Sequence, residues 1–428
     1  MKAFDIQVSW PANAGDARDA VDASFGYLRL FLGGANVTSF QGSDGLAGDR
    51  VEQPLYYLAE WIVENWWALL WEPEKSDDVK DDADYRSRHC LLSAQHGFAL
   101  PDLRIIPTGK AIHLVAKARR AEYAEVRFQC RGDTLAVRSE VENELRGFVR
   151  GVVARLPSET GQTLRSSWAL IEHTQEEAAD FCRLMGALGL SPYNEHSRIE
   201  AALERVSDKL TRAQLFDLCQ TSTAEDFLPA ARVAEIVHDA SAASVETDVS
   251  ALTALPAPSD NPALPAYRRG LMAARQLRNA LAIGEHDIDG ATRLFERLNV
   301  DPASRSVINL QGTDSPIAGA VVRSHDRAKL ALVSEARSSR RFAAARAAFF
   351  IWTGEREDRR LMTDAVTRDQ QASRAFAAEF LVPQGYIRGQ SNQGKLSRDR
   401  VDEIAERAMV SSDVVRYQAQ NKGLLLVN

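Results

Sequence analysis

Cysteine, long apolar runs and excess positive charge are all scarce in this chain, and each shortage narrows its class. Cys90, Cys130, Cys182 and Cys219 are the only cysteines in 428 residues. They follow no pairing pattern, which predicts free thiols in a reducing compartment rather than a disulfide scaffold. No stretch of about 18 apolar residues occurs, so no membrane-spanning helix is expected. The start, Met1 to Gly15, holds Lys2 but no apolar core, so a secretory leader is not expected and a cytoplasmic location is. Lys and Arg number 52 against 59 Asp and Glu, a net charge of -7. The chain as a whole is therefore no electrostatic nucleic-acid binder, although a local basic patch stays open.

Catalytic signatures are missing as well. There is no His-Glu-x-x-His, no Gly-x-Ser-x-Gly, no phosphate-binding loop and no Gly-x-Gly-x-x-Gly. Eight histidines are present, and none stands at a zinc-ligand spacing from another His, Glu or Cys. His89-Cys90 followed by His96 comes nearest but lacks a second Cys pair, so it reads as structural.

What is present predicts an α+β protein of two to three domains, since 45% hydrophobic residues can build substantial cores. Residues 1–157 read as a mixed α+β domain of unknown function. Its strands are predicted at Phe4 to Trp10, Tyr27 to Leu32, Val37 to Phe40, Ala111 to Ala116, Ala124 to Cys130 and Thr134 to Val137. One helix is predicted from Val51 to Trp71 and another from Ser139 to Leu156. The first helix carries Trp61, Trp66, Trp67 and Trp71, mainly a core-facing stripe, with an aromatic interface as the second reading. Residues 158–254 read as a helical bundle, with capping boxes at Thr174 to Glu177 and Thr211 to Gln214. Four prolines in eleven residues, Leu255 to Pro265, then mark a linker ahead of a third domain, 266–428.

In that last part, Arg341-Phe-Ala-Ala-Ala-Arg346-Ala347-Ala-Phe-Phe350 is followed by Gln370 to Pro383, which contains Phe376-Ala-Ala-Glu-Phe-Leu-Val-Pro383. A helix from Ile288 to Val300, a strand pair at Gly319 to Val322 and Ala328 to Ser334, and a helical tail surround them. The ensemble resembles the ImmA/IrrE-like metallopeptidase family, and the resemblance implies a zincin-like α+β fold for 266–428. It places the two zinc-binding histidines at Arg346 and Phe350, the catalytic glutamate at Ala347 and the third ligand near Gln370. A guanidinium has donors only, and neither phenyl nor methyl has a lone pair to offer. The expectation is a protein without metal, cofactor or catalytic residue: a degenerate pseudoprotease.

Such a chain is expected to act by binding a protein partner, repressor- or antitoxin-like, in bacterial stress response or phage defence. Arg341, Arg346 and Arg374 are its candidate anion- or partner-binding residues. Either Arg346 and Arg374 pair with Asp369, Glu379 or another acid and staple two helices, or one guanidinium stays free to grip a carboxylate or phosphate. Two other functions remain as alternatives. One is an endopeptidase or toxin with an unrecognised active site. The other is DNA binding through Leu396 to Tyr417, which has helix-turn-helix spacing but only Arg416 as a basic residue in its second helix.

Overall fold

A computed structural model describes residues 2–11, 19–75, 83–118, 126–261, 264–297, 307–308, 315–334 and 336–427. It mixes helices with small sheets and divides into two units, Met1–Glu195 and His196–Asn428. The sequence reading drew boundaries at 157 and within 255–265; the packing draws one, at 195.

In the first unit, alternation builds the opening sheet. β1 (Phe4–Ser9) pairs antiparallel with β2 (Phe25–Leu32), whose Leu28, Leu30 and Leu32 are buried. β2 pairs in turn with β3 (Val51–Pro54). The expected helix from Val51 to Trp71 is thus three elements: this strand, α1 (Tyr56–Glu64) and α2 (Trp66–Trp71). Pro54 favours an extended residue before it. At Asn65 the side-chain amide donates to the Trp61 carbonyl at 2.8 Å, so a local bond replaces helix continuation. The strand expected at Val37 to Phe40 falls instead at Ala35–Asn36 and Phe40–Gly42. Between them the Asn36 Oδ1 accepts from the Thr38 backbone at 3.0 Å and turns the chain.

A second sheet has the order β6 (Gly132–Val137), β5 (Ala111–Lys117), β4 (Asp102–Pro107), all antiparallel. α3 (Arg138–Val153) buries Val141, Leu145, Phe148, Val149 and Val152, the spacing of one helix face. α4 (Gln162–Glu172) and α5 (Glu176–Ala187) complete the unit. No capping box forms at Thr174, whose hydroxyl donates back to Leu170 while Gln175 becomes the N-cap. Trp61, Trp66 and Trp67 are buried as the core reading expects, and Trp66 meets Trp168 edge-on at 5.2 Å.

The second unit opens with α6 (Ser197–Ser207), α7 (Arg212–Thr221) and α8 (Phe227–Ala243). Here the capping box does form, Thr211 and Gln214 bonding each other's backbone. The proline-rich stretch is tied down rather than loose: Trp352 Nε1 donates to the Leu255 carbonyl at 3.3 Å and Gln276 to that of Pro256 at 3.0 Å. After it comes α9 (Ala266–Ala280), then a short helix Gly290–Arg297; residues 298–300 of the helix expected there lie outside the described residues.

The sheet of this unit is built on β7 (Ile317–Ser324), β8 (Arg327–Val333) and β9 (Glu357–Thr363), antiparallel with β7 in the middle. Val321 and Arg323 face α10 (Arg337–Thr353), where Arg323 caps the helix by donating to the carbonyls of Ile351 and Gly354. Val322 and Ser324 face the other way, toward α8. α11 (Arg368–Leu381) packs on α10 and against α9. The α9 contact is close at Gly270, where a Cβ would lie 2.1 Å from the Ala372 carbonyl oxygen. The tail is α12 (Arg398–Ala408), a left-handed turn at Met409 and α13 (Ser412–Asn421). Val401, Ile404, Ala405, Val410, Val415 and Ala419 of this pair join the core of the unit.

Candidate functional site

α10 is alanine-rich and almost wholly buried from Arg341 to Trp352, so every polar atom it carries inward must find a partner. Arg346 is 4% exposed and uses neutral acceptors. Its Nε donates to the Ser373 hydroxyl at 3.0 Å, and its Nη2 to the Thr363 carbonyl and the Gln370 amide oxygen, both at 2.6 Å. Arg374 donates to the same Thr363 carbonyl at 3.1 Å and to that of Ala365 at 2.9 Å. Burial first, and the neighbouring Arg374 second, hold the Arg346 pKa down to about 9.

Gln370, fully buried, is the relay. Its oxygen accepts from Arg346 and from the Thr363 N–H at 3.0 Å, while its Nε2 donates to Asp217 at 3.1 Å and to the Leu361 carbonyl at 2.7 Å. All four bonding positions of the amide are filled. Asp217, on α7, receives both arms of Arg360 at 2.8 Å and the Leu361 N–H at 3.1 Å. Burial alone would lower the Arg360 pKa, and the Asp217 carboxylate outweighs it, leaving the guanidinium firmly charged. Beyond Arg360 lies Asp369 at 3.5 Å; Asp369 receives Arg269 at 2.6 Å, and Arg269 reaches Asp260 at 3.0 Å.

The residues singled out from the sequence separate into three places. Arg346, Gln370 and Arg374 come together at Thr363, and Phe350 lies one helical turn on, its ring 5.0 Å from the Arg360 guanidinium. Ala347 points away, into a small apolar pocket with Ala344, Ala348, Ile351 and Leu330. Arg341 is elsewhere, its Nη2 on Thr292 at 3.2 Å and its guanidinium over Phe295. Arg346 does link the two helices, through Ser373 and Gln370 rather than through an acid. Asp369 is held by Arg269 and Arg360, and Glu379 by Arg275 at 2.9 Å.

Sequence reading missed Asp217, Arg360 and Arg269. Asp217 left one trace: a carboxylate between Leu215 and Leu218 on a capped helix, a place where an acid needs a counterion. Among the described residues no three His, Cys, Asp or Glu side chains gather where they could hold a metal ion, and no helix is long and apolar enough to cross a membrane. Compared with protein-family models, curated proteins and solved structures, the chain finds no match in any of the three.

Proposed function

We propose that the chain is a catalytically inactive relative of the ImmA/IrrE-like metallopeptidases that acts by binding a protein, repressor- or antitoxin-like, in bacterial stress or mobile-element response. One observation carries the reading. The positions where the resemblance puts a first and a third zinc ligand, Arg346 and Gln370, are hydrogen-bonded to each other at 2.6 Å. Their juxtaposition on α10 and α11 supports a common descent of this corner. Its chemistry is closed, because Arg346 offers no lone pair and all the bonding positions of Gln370 are spent. The test is elemental analysis of the purified full chain beside a cleavage assay on repressors from its host. The expected result is well under one zinc per chain and intact repressor; one zinc per chain, lost on Asp369→Ala, overturns it.

A further inference from the structure

A cavity of about 230 Å³ lies on the face of the sheet opposite α10, under the C-terminal end of α8. Its floor is a directly registered row across three strands: Lys329 on β8, Val322 on β7 and Arg359 on β9. Arg327, two residues before Lys329, lies on the same face, and His238 closes the cavity from α8. Three cations thus surround one hole. The lining holds a single acid, Glu246, so with a neutral His238 it carries two net positive charges. Two more acids stand at the edge of this face: Glu357, 3.3 Å from His325, and Asp248, which lies opposite Arg327 in register, accepts from the Ser250 N–H at 2.9 Å and feels the Arg327 charge.

A structural reason accounts for only part of this charge. The Lys329 ammonium donates to the Ala242 carbonyl at 3.1 Å and so satisfies the end of α8, where a cation is favoured. Among the described residues Arg327 and Arg359 make no ion pair. The Nδ1 of His238 is buried without a hydrogen-bond partner, a state that a protein group rarely keeps unless something else fills it. Burial first, with Arg359 and Lys209 adding to it against the opposing pull of Asp239, lowers the His238 pKa and favours the neutral ring.

We propose that this cavity is a binding site for a small phosphate-bearing dianion, clamped by Arg327, Lys329 and Arg359 and hydrogen-bonded by His238. Two net charges match a dianion rather than a single carboxylate, and guanidinium forks fit phosphate oxygens two at a time. The volume, about 230 Å³, admits inorganic phosphate or a small phosphomonoester and is too small for a nucleic-acid strand. This site is independent of the one on α10, from which the sheet separates it.

The experiment is calorimetric titration of the full chain at pH 8 with inorganic phosphate, compared with the double variant Arg327→Gln with Arg359→Gln and with the control Arg232→Gln. Arg232 is exposed on α8 and outside the cavity. Both cavity arginines are exposed, so melting temperatures should match the parent. The expected result is saturable binding, weakened about tenfold or more in the double variant and unchanged in the control. Acetate should bind the parent no better than it binds the double variant. Absence of saturable binding to the parent, or equal weakening in control and double variant, overturns the proposal.

Discussion

In the first unit a buried carboxylate is held by a guanidinium and an imidazole, whereas in the second a buried guanidinium is hydrogen-bonded only by neutral groups. Glu72, 3% exposed, receives Arg88 through two bonds of 2.8 and 2.7 Å and His89 at 3.0 Å. Burial alone would raise its pKa; the bonds from Arg88 and His89 outweigh that and bring it to about 2. Arg346 has no carboxylate among its acceptors, and its pKa moves against its charge. The two sites show that burial does not set the outcome by itself. Partners decide whether a buried charge stabilises the fold or is merely tolerated.

Two losses should be largest and about equal. Asp217→Ala leaves the Arg360 guanidinium without its bidentate partner and the Leu361 N–H without an acceptor, and should cost about 3 to 5 kcal/mol by urea unfolding. Trp66→Ala empties a fully buried aromatic site and should cost a similar 3 to 5 kcal/mol. Six of the seven tryptophans belong to the first unit and Trp352 alone to the second, so fluorescence and circular dichroism together assign each loss to its unit. If Trp66→Ala keeps its melting temperature and loses a partner instead, the interface reading of that helix pair replaces the core reading.

Next comes the acid limb. The folded pKa of Glu72 lies below the ordinary 4.5, so the unfolded chain takes up the proton first. Its contribution is therefore complete above pH 4.5 and lost as pH falls toward about 2. The shift corresponds to roughly 3 kcal/mol. Glu72→Gln should lose that amount near neutrality and converge with the parent only as pH falls to about 2; curves that stay parallel would show that Glu72 is not the linked group.

The smallest effect should come from the residue that first draws the eye. Arg346→Met removes a buried charge yet orphans no acceptor. Gln370 keeps the Thr363 N–H, the Thr363 carbonyl keeps Arg374, and Ser373 keeps its bond to the Gln370 carbonyl. A change of less than about 1.5 kcal/mol, of either sign, is expected from the melting curve. A loss as large as that of Asp217→Ala would make Arg346 the keystone and erase the contrast between the units.

Much of the frame was legible in the sequence. The Thr211 capping box forms where its end signal stands, and β7, β8, α10 and α11 fall on the segments that carry the resemblance. The site was legible only on one side. Arg346 and Gln370 could be named because a motif spaces them, but their link to Asp217 spans more than a hundred residues and obeys no local rule. The breaks at Pro54 and Asn65 were lost for the opposite reason: a strong run of tryptophans hid short, local conformational preferences.

Gln370 also makes this corner hard to undo. Were it a carboxylate, one oxygen could still receive Arg346, but the other would take the place of the Nε2 and face only acceptors, Asp217 Oδ1 and the Leu361 carbonyl. Such an oxygen would have to hold a proton, and a protonated acid is no zinc ligand. A glutamate at 370 would therefore offer a metal no free carboxylate until Asp217 changed too, and Asp217 cannot change without freeing Arg360. The amide at 370 and the carboxylate at 217 are thus locked together: neither can change alone without leaving a buried polar group unpaired.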